Sequence, residues 1–313
     1  CMCSEFEQVQ ILKKSSSTTL PILNKSKFDN LLFPVPPQSG QLMIVKKANK
    51  LFQFTNIIQT EKDSLQEVII AAKSKILDLA IRGKLIPQDP NDEPASVLLE
   101  RIRQQKQQMV KEGKLKAKDI KNDTVIFVGE DNLHYEKFTD GSVKCIEDEI
   151  PFELPDGWAW ARLASLIEVF ITGPFGSALH KSDYVTDGIP LINPMNITDG
   201  KVIPIDKMQV SPETVERLSS FKVAPSDIVI ARRGDMGRCA VVQPAQEGWL
   251  CGTGSFILRF SAVLCSEYFA VCLRSPYSVE LMSGNSIGNT MLNLNQTILK
   301  SILMPVPPCT EQN

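Results

Sequence analysis

The sequence predicts an α+β protein: a mixed α/β domain preceded by one long coiled-coil helix. Three observations predict it. From Ile44 to Leu79, positions spaced four and three apart keep one heptad register with no Pro or Gly. Beyond residue 150, short strand candidates alternate with turn signals and a few helical runs, without strand–helix–strand regularity. A segment near the start also recurs at the end, offset by 271 residues without a gap, so the chain holds one period and the tail of the previous one. That pattern predicts a piece of a longer tandem design.

Residues 1–37 begin with a strand-like run, Val9 to Leu12, and a Ser/Thr turn. The first repeat copy follows, Thr19 to Gln41; the second runs from Thr290 to Gln312. Both carry an Asn (Asn24, Asn295), three mostly apolar residues (31–33 and 302–304), Pro-Val-Pro-Pro from Pro34 or Pro305, then Ser39 or Thr310 and a Gln. Alone, residues 1–37 are too few to fold, and Ser39 is placed to cap a helix.

The heptad seam reads Ile44, Ala48, Leu51, Thr55, Ile58, Lys62, Leu65, Ile69, Ala72, Ile76 and Leu79. It predicts a helix of ~45 residues, ~65 Å long at 1.5 Å per residue. Thr55 and Lys62 interrupt the seam, a device that can set register. So narrow a stripe fits a helix partner; the alternative is a helix lying on its own domain. Gly83 ends it and Pro87 forbids resumption.

A turn-rich link, Pro87 to Pro94, leads to a short helix ending at Gly113, with Asp92 as cap and Val97, Leu98, Ile102 and Met109 as its apolar side. Its other face is basic: Arg101, Arg103, Lys106 and Lys111, continuing to Lys114, Lys116, Lys118 and Lys121. That face reads as solvated, with phosphate contact as the alternative. Thr124–Val128 and Ser142–Ile146 read as strands around a polar hairpin. Pro151 to Trp160 opens the main domain. Its strand candidates are Pro190–Ile192, Asp227–Ala231, Cys239–Val242 and Gly254–Phe260; its helical candidates are Pro212–Leu218, Ser266–Arg274 and Ser275–Ser283.

Composition limits the functions available. The chain has 313 residues, is 43% hydrophobic and 22% charged, and carries a net charge of −2. Nucleic-acid contact must then come from local patches rather than a bulk basic surface. The eight Cys form no Cys-x-x-Cys pair, and only His134 and His180 accompany them, so zinc-ligand spacing is absent. No signal peptide or spanning apolar run appears. The thiols read as reduced, in a cytoplasmic protein. There is no phosphate loop and no nucleophile elbow. Asn193-Pro194 continues as Met-Asn, without the second Pro and aromatic of an amino-methyltransferase site. No catalytic residue, metal site or bound cofactor is indicated.

Three loops carry the candidate chemistry. In Thr172-Gly-Pro-Phe-Gly-Ser-Ala-Leu-His-Lys-Ser182, glycines admit close approach and Ser177, His180 and Lys181 supply donors; the alternative is a tight turn over a core Phe175. Ala231-Arg-Arg-Gly-Asp-Met-Gly-Arg238 sets Arg232, Arg233 and Arg238 as a cationic fork after a strand. Guanidinium suits phosphate oxygens and the guanine O6/N7 edge, although one Arg has Asp235 to pair with. In Ser283-Gly-Asn-Ser-Ile-Gly-Asn289, Asn285 and Asn289 can read adenine, although the composition is also that of a turn.

Five segments together resemble the DNA-specificity subunit of type I restriction–modification systems. Ile76 to Ile102 resembles the end of that family's first conserved helix and its linker. Glu149-Ile-Pro-Phe-Glu-Leu-Pro-Asp-Gly-Trp158 resembles the entry to a target recognition domain. Gly173 to Leu179 and Ile230 to Arg238 resemble motifs inside it, and Pro-Val-Pro-Pro resembles its exit into a conserved helix. The resemblance implies a remnant of a first recognition domain at 1–37, a spacer helix at 38–86, a linker at 87–149, a recognition domain at 150–308, and the start of a second conserved helix at 309–313. It implies a non-catalytic subunit that reads half of a split site on double-stranded DNA. Its partners would be modification (methyltransferase) and restriction subunits, which would hold S-adenosylmethionine, ATP and Mg2+. An unpaired seam predicts self-association as an antiparallel homodimer. The competing expectations are a DNA methyltransferase or nuclease with its own recognition domain, and a coiled-coil scaffold without a DNA role. The base sequence read does not follow from the residues.

Overall fold

The structure, a computed structural model, describes residues 4–15, 23–175, 178–284 and 294–312. The fold is α+β, and the chain divides into two compact units, Cys1–Ile70 and Ala71–Asn313.

The first unit is helical. Its first element is α1, Glu5–Lys14, where the sequence predicted a strand. Ser4 accepts the Glu7 N–H at its N-terminus, Glu5 and Glu7 lie in the first turn, and Lys13 and Lys14 in the last. Those end charges complement the helix dipole and outweigh a four-residue apolar run. The Gln10 side chain clamps the chain that returns along α1: it donates to Leu32 O and accepts from Leu32 N–H, both at 3.1 Å. The short helix α2, Lys25–Phe28, is capped by Asn24, which accepts the Lys27 N–H at 3.0 Å. The long helix α3 spans Gln38–Ile81. Ser39 is thus inside its first turn and is not its cap.

In the second unit, Gly83 ends α3 in the left-handed region (φ +62°), and Lys84 N–H bonds back to Leu79 O at 2.9 Å. Helix α4, Ala95–Lys111, starts after Pro94, not at Asp92. Leu98 and Ile102 are buried as expected, but Val97 is exposed, and Lys106, assigned to a solvated basic face, is buried. A hairpin sheet follows: β1 (Val125–Val128), β2 (His134–Lys137) and β3 (Val143–Cys145). The middle strand lies in the stretch that the sequence marks as a polar hairpin.

The main domain then runs β4 (Ala159–Arg162), α5 (Leu163–Leu166), β5 (Ile167–Thr172), β6 (Tyr184–Val185), β7 (Ile189–Ile192), β8 (Ile197–Thr198), β9 (Lys201–Val202), β10 (Gln209–Val210), α6 (Pro212–Arg217), β11 (Ile228–Ala231), β12 (Cys239–Val241), β13 (Leu250–Cys251), β14 (Ser255–Phe260), α7 (Ser266–Arg274), α8 (Pro276–Ser283), α9 (Gln296–Ser301) and β15 (Leu303–Val306). Its centre is the antiparallel sheet β12-β11-β14-β5. Alternation places Ile228, Ile230, Phe256 and Leu258 in one core with α4, α7 and α9, and Val229 and Ile257 in a second core with Ile192, Ile197 and Cys251. Both faces are covered, so the register is pinned. The buried Asp227 accepts from Arg259 at 2.7 Å through two nitrogens, stapling the far end of β11 to β14. A second sheet, β13-β7-β10-β6, closes a third core around Leu191, Val210 and Leu250.

The two repeat copies share one device. Asn295 caps α9 by accepting the Ile298 N–H at 2.8 Å, as Asn24 does for α2; such a cap is worth about 1 kcal/mol. The second copy continues as β15, which among the described residues pairs with β4 alone, so Pro305 sits where a missing N–H is tolerated.

Candidate nucleic-acid interface

The register of the central sheet collects the candidate loops. Ala231 at the end of β11 lies opposite Ser255 at the start of β14, and Phe256 lies opposite Thr172 at the end of β5. The Arg loop, residues 252–254 and the Gly-Pro-Phe loop therefore leave from one rim. Main-chain bonds tie them: Gly173 N–H to Ser255 O at 3.0 Å and Arg232 N–H to Gly254 O at 2.9 Å. The chain beyond the third candidate loop reaches the rim too, with Leu294 N–H on Arg232 O at 2.8 Å. Gln296 donates to Thr172 Oγ1 at 2.6 Å. Glycine is required at the crossing, because a Cβ on Gly173 would sit 1.9 Å from Gly252 O. The end of β7 arrives at the same place, since a Cβ on Gly252 would meet Asn193 Oδ1 at 2.1 Å.

The three arginines differ. Arg232 is half-buried with its guanidinium over the Phe256 ring, 5.2 Å from the centroid, and its Nε is buried without a partner. Burial, then the neighbouring Arg233, lowers its pKa. Arg233 is exposed and has no ion pair among the described residues. Arg238 is committed within the protein: it pairs with the exposed Asp235 of its own loop and donates to Pro194 O. Met236 plugs the loop into the main core, while Gly234 (φ +83°) leaves its outer turn free of side-chain neighbours. The fork is thus two available guanidiniums on an anchored base.

Phe175 is 70% exposed, which removes the alternative of a tight turn over a core residue. The buried Pro174 and the Gly173 crossing hold it outward, and its carbonyl accepts the Ala178 N–H at 2.8 Å. His180 and Lys181 are exposed on the braced stretch beyond, with no bond to the Arg fork among the described residues. Arg217 holds that stretch through Ala178 O at 2.7 Å and Asp183 at 3.0 Å. The Asp183 carboxylate also accepts the His180 N–H, and that bond first, with Arg217, holds its pKa below the usual range. Ser177, Asn285 and Asn289 lie outside the described residues. Sequence reasoning missed Thr172, Asn193 and Gln296; only the strand register shows that they share the rim.

The α3 seam is uncovered: Ile44, Leu51, Ile58, Leu65, Ile69 and Ile76 are exposed, as is Ala72, Ala48 is half-buried, and only Leu79 joins the partly buried helix end. Val45, Phe52, Phe54, Ile57 and Val68 are exposed too, so the apolar surface is wider than the narrow stripe expected. Among the described residues no His, Cys, Asp or Glu cluster could hold a metal ion, and no helix is long and apolar enough to cross a membrane.

A family model described as "Type I restriction modification DNA specificity domain" matches residues 155–313. The type I restriction enzyme EcoAI specificity subunit of Escherichia coli is 37% identical over 162 residues, 51% of this chain and 23% of that protein. The EcoEI specificity subunit of Escherichia coli is 25% identical over 319 residues, 99% of this chain and 48% of that protein. The chain spans about half the length of these curated relatives, or less. A solved chain described under "Structural basis underlying complex assembly and conformational transition of the type I R-M system" has the same fold, with a TM-score of 0.52 at 18% identity over 99% of this chain and 58% of that one.

Proposed function

The chain belongs to the type I restriction modification DNA specificity domain family, and we propose that it is a sequence-specific DNA-binding specificity subunit, or the part of one that carries a target recognition domain. The observation that carries this reading is the single rim that joins the Arg fork, the outward Phe175 and the chain at Leu294 and Gln296. Arg232, preset over Phe256, is suited to a guanine edge in the major groove. The exposed Arg233 is suited to phosphate, and Phe175 to a thymine methyl or a base step. His180 and Lys181 would follow the backbone further along.

The chain would itself be non-catalytic. S-adenosylmethionine would be held by modification subunits, and ATP and Mg2+ by a restriction subunit; methylation and cleavage would be directed to a split site by this chain, in the cytoplasm. The uncovered apolar surface of α3 supports a helical partner, either modification subunits or a second copy crossing antiparallel. Methylome sequencing of cells carrying the chain with its modification partner tests the reading. A split methylated motif that disappears with Arg232→Ala supports it; an unchanged methylome contradicts it.

A further inference from the structure

Met195 is a large apolar side chain, 56% exposed, on the turn that follows β7 at the rim. A single exposed apolar residue is ordinary on a protein surface. The turn that carries this one is held on several sides. Pro194 presets the backbone at its first position. Asn196, 1% exposed, accepts the Asn193 N–H at 3.0 Å and donates to Ile203 O at 3.0 Å. Ile203 N–H returns to Asn196 O at 2.7 Å. Arg238, itself paired with Asp235, donates to Pro194 O at 3.3 Å, next to Met195. The turn also lies against the rim, because a Cβ on Gly254 would sit 2.8 Å from Pro194 Cδ. Gly254 O accepts the Arg232 N–H, so one glycine separates the Met195 turn from Arg232.

We propose that Met195 is a specificity-determining residue that reads a thymine methyl group, and that Arg238 positions it rather than touching DNA. The inference rests on DNA recognition at the rim. In the major groove the thymine methyl is the apolar group that a base edge offers, so an apolar side chain beside the base-reading Arg232 has one class of partner there. The thioether is flexible and polarizable and adapts to a methyl surface. The backbone beneath it is fixed before DNA arrives, which lowers the ordering cost of the contact. The same geometry gives the third arginine of the fork a task. Its hydrogen bond to Pro194 O fixes the residue directly before Met195, and its charge is answered by Asp235.

The test uses the full chain with its modification partner and duplexes carrying the motif found by methylome sequencing. Each thymine is replaced in turn by deoxyuridine, which lacks only the methyl, and fluorescence anisotropy reads the affinity. One such exchange should weaken wild-type binding roughly three- to fivefold, as expected for one buried methyl group. Met195→Ala, a change at an exposed side chain that leaves the fold intact, should bind the unaltered motif roughly five- to tenfold more weakly and be indifferent to that exchange. Arg238→Ala should show the same indifference, and Arg238→Lys, which can still donate to Pro194 O, should restore part of the sensitivity. No loss on any thymine exchange, or a loss that Met195→Ala retains in full, overturns the inference. A uniform fall in affinity in Arg238→Ala, with the methyl effect intact, overturns the positioning role. If Arg232→Ala still lowers specificity when the Met195 result is negative, the rim reading stands and this inference alone fails; if it does not, both fail.

Discussion

Replacing Lys106 by Met should unfold the second unit far more easily than its place on a basic helix suggests. The Lys106 side chain is 2% exposed and that of Asp123 12%, with 2.6 Å between charges. Burial lowers the Lys106 pKa and raises that of Asp123, so each ion depends on the other. Removing one partner leaves a buried unpaired charge, at a cost of ~3–5 kcal/mol. It also strips a donor from the carbonyls of Ala164 and Ser165. Replacing both ions, Lys106→Met with Asp123→Leu, removes that penalty and should recover most of the loss. Urea titration followed by tryptophan fluorescence measures this, since Trp158, Trp160 and Trp249 all lie in the second unit. A Lys106→Met cost under ~1 kcal/mol would refute the buried-pair account. Simple additivity in the double variant would refute the coupling.

Gly173→Ala places a methyl against Gly252 O and should abolish DNA binding through a shifted rim; gel-shift assays with the folded variant check it, and normal affinity would show that the crossing is slack. Asp183 has a depressed folded pKa, so its stabilisation is full above the ordinary value, about 3.9, and is lost as pH falls through the folded value. The acid limb of the pH–stability curve should flatten in Asp183→Asn; an identical limb in both proteins would contradict this. Leu65→Asp on the uncovered seam should convert a self-associating chain to monomer in sedimentation equilibrium, whereas a strictly monomeric wild type would sink the antiparallel pairing.

The elements legible in the sequence were those with one dominant local signal. The α3 heptad had no competing Pro or Gly, and β11 and β14 were apolar runs bounded by turns. What escaped depended on residues far apart. β15 is a strand only because β4 lies beside it, and its Pro305 argues against a strand locally. Lys106 looked like its basic neighbours, but Asp123, which buries it, comes from the next segment. At the rim the Arg loop was legible by composition. Its division of labour was not: Arg238 is occupied because Asp235 and Pro194 O receive it, while Arg232 is set by Phe256 across the sheet. For Phe175 the sequence left core and surface open, and its Gly-Pro stem decides for the surface.

DNA recognition by the rim is tested most directly by the affinity of the chain, reconstituted with its modification partner, for its methylated motif and for a scrambled duplex at two salt concentrations. Arg232→Ala should cut the ratio of specific to non-specific affinity by the ~1–3 kcal/mol of a bidentate base contact. Arg233→Ala should leave that ratio intact and lower the salt slope by about 1. Wild-type affinity, ratio and salt slope in both variants would contradict the account.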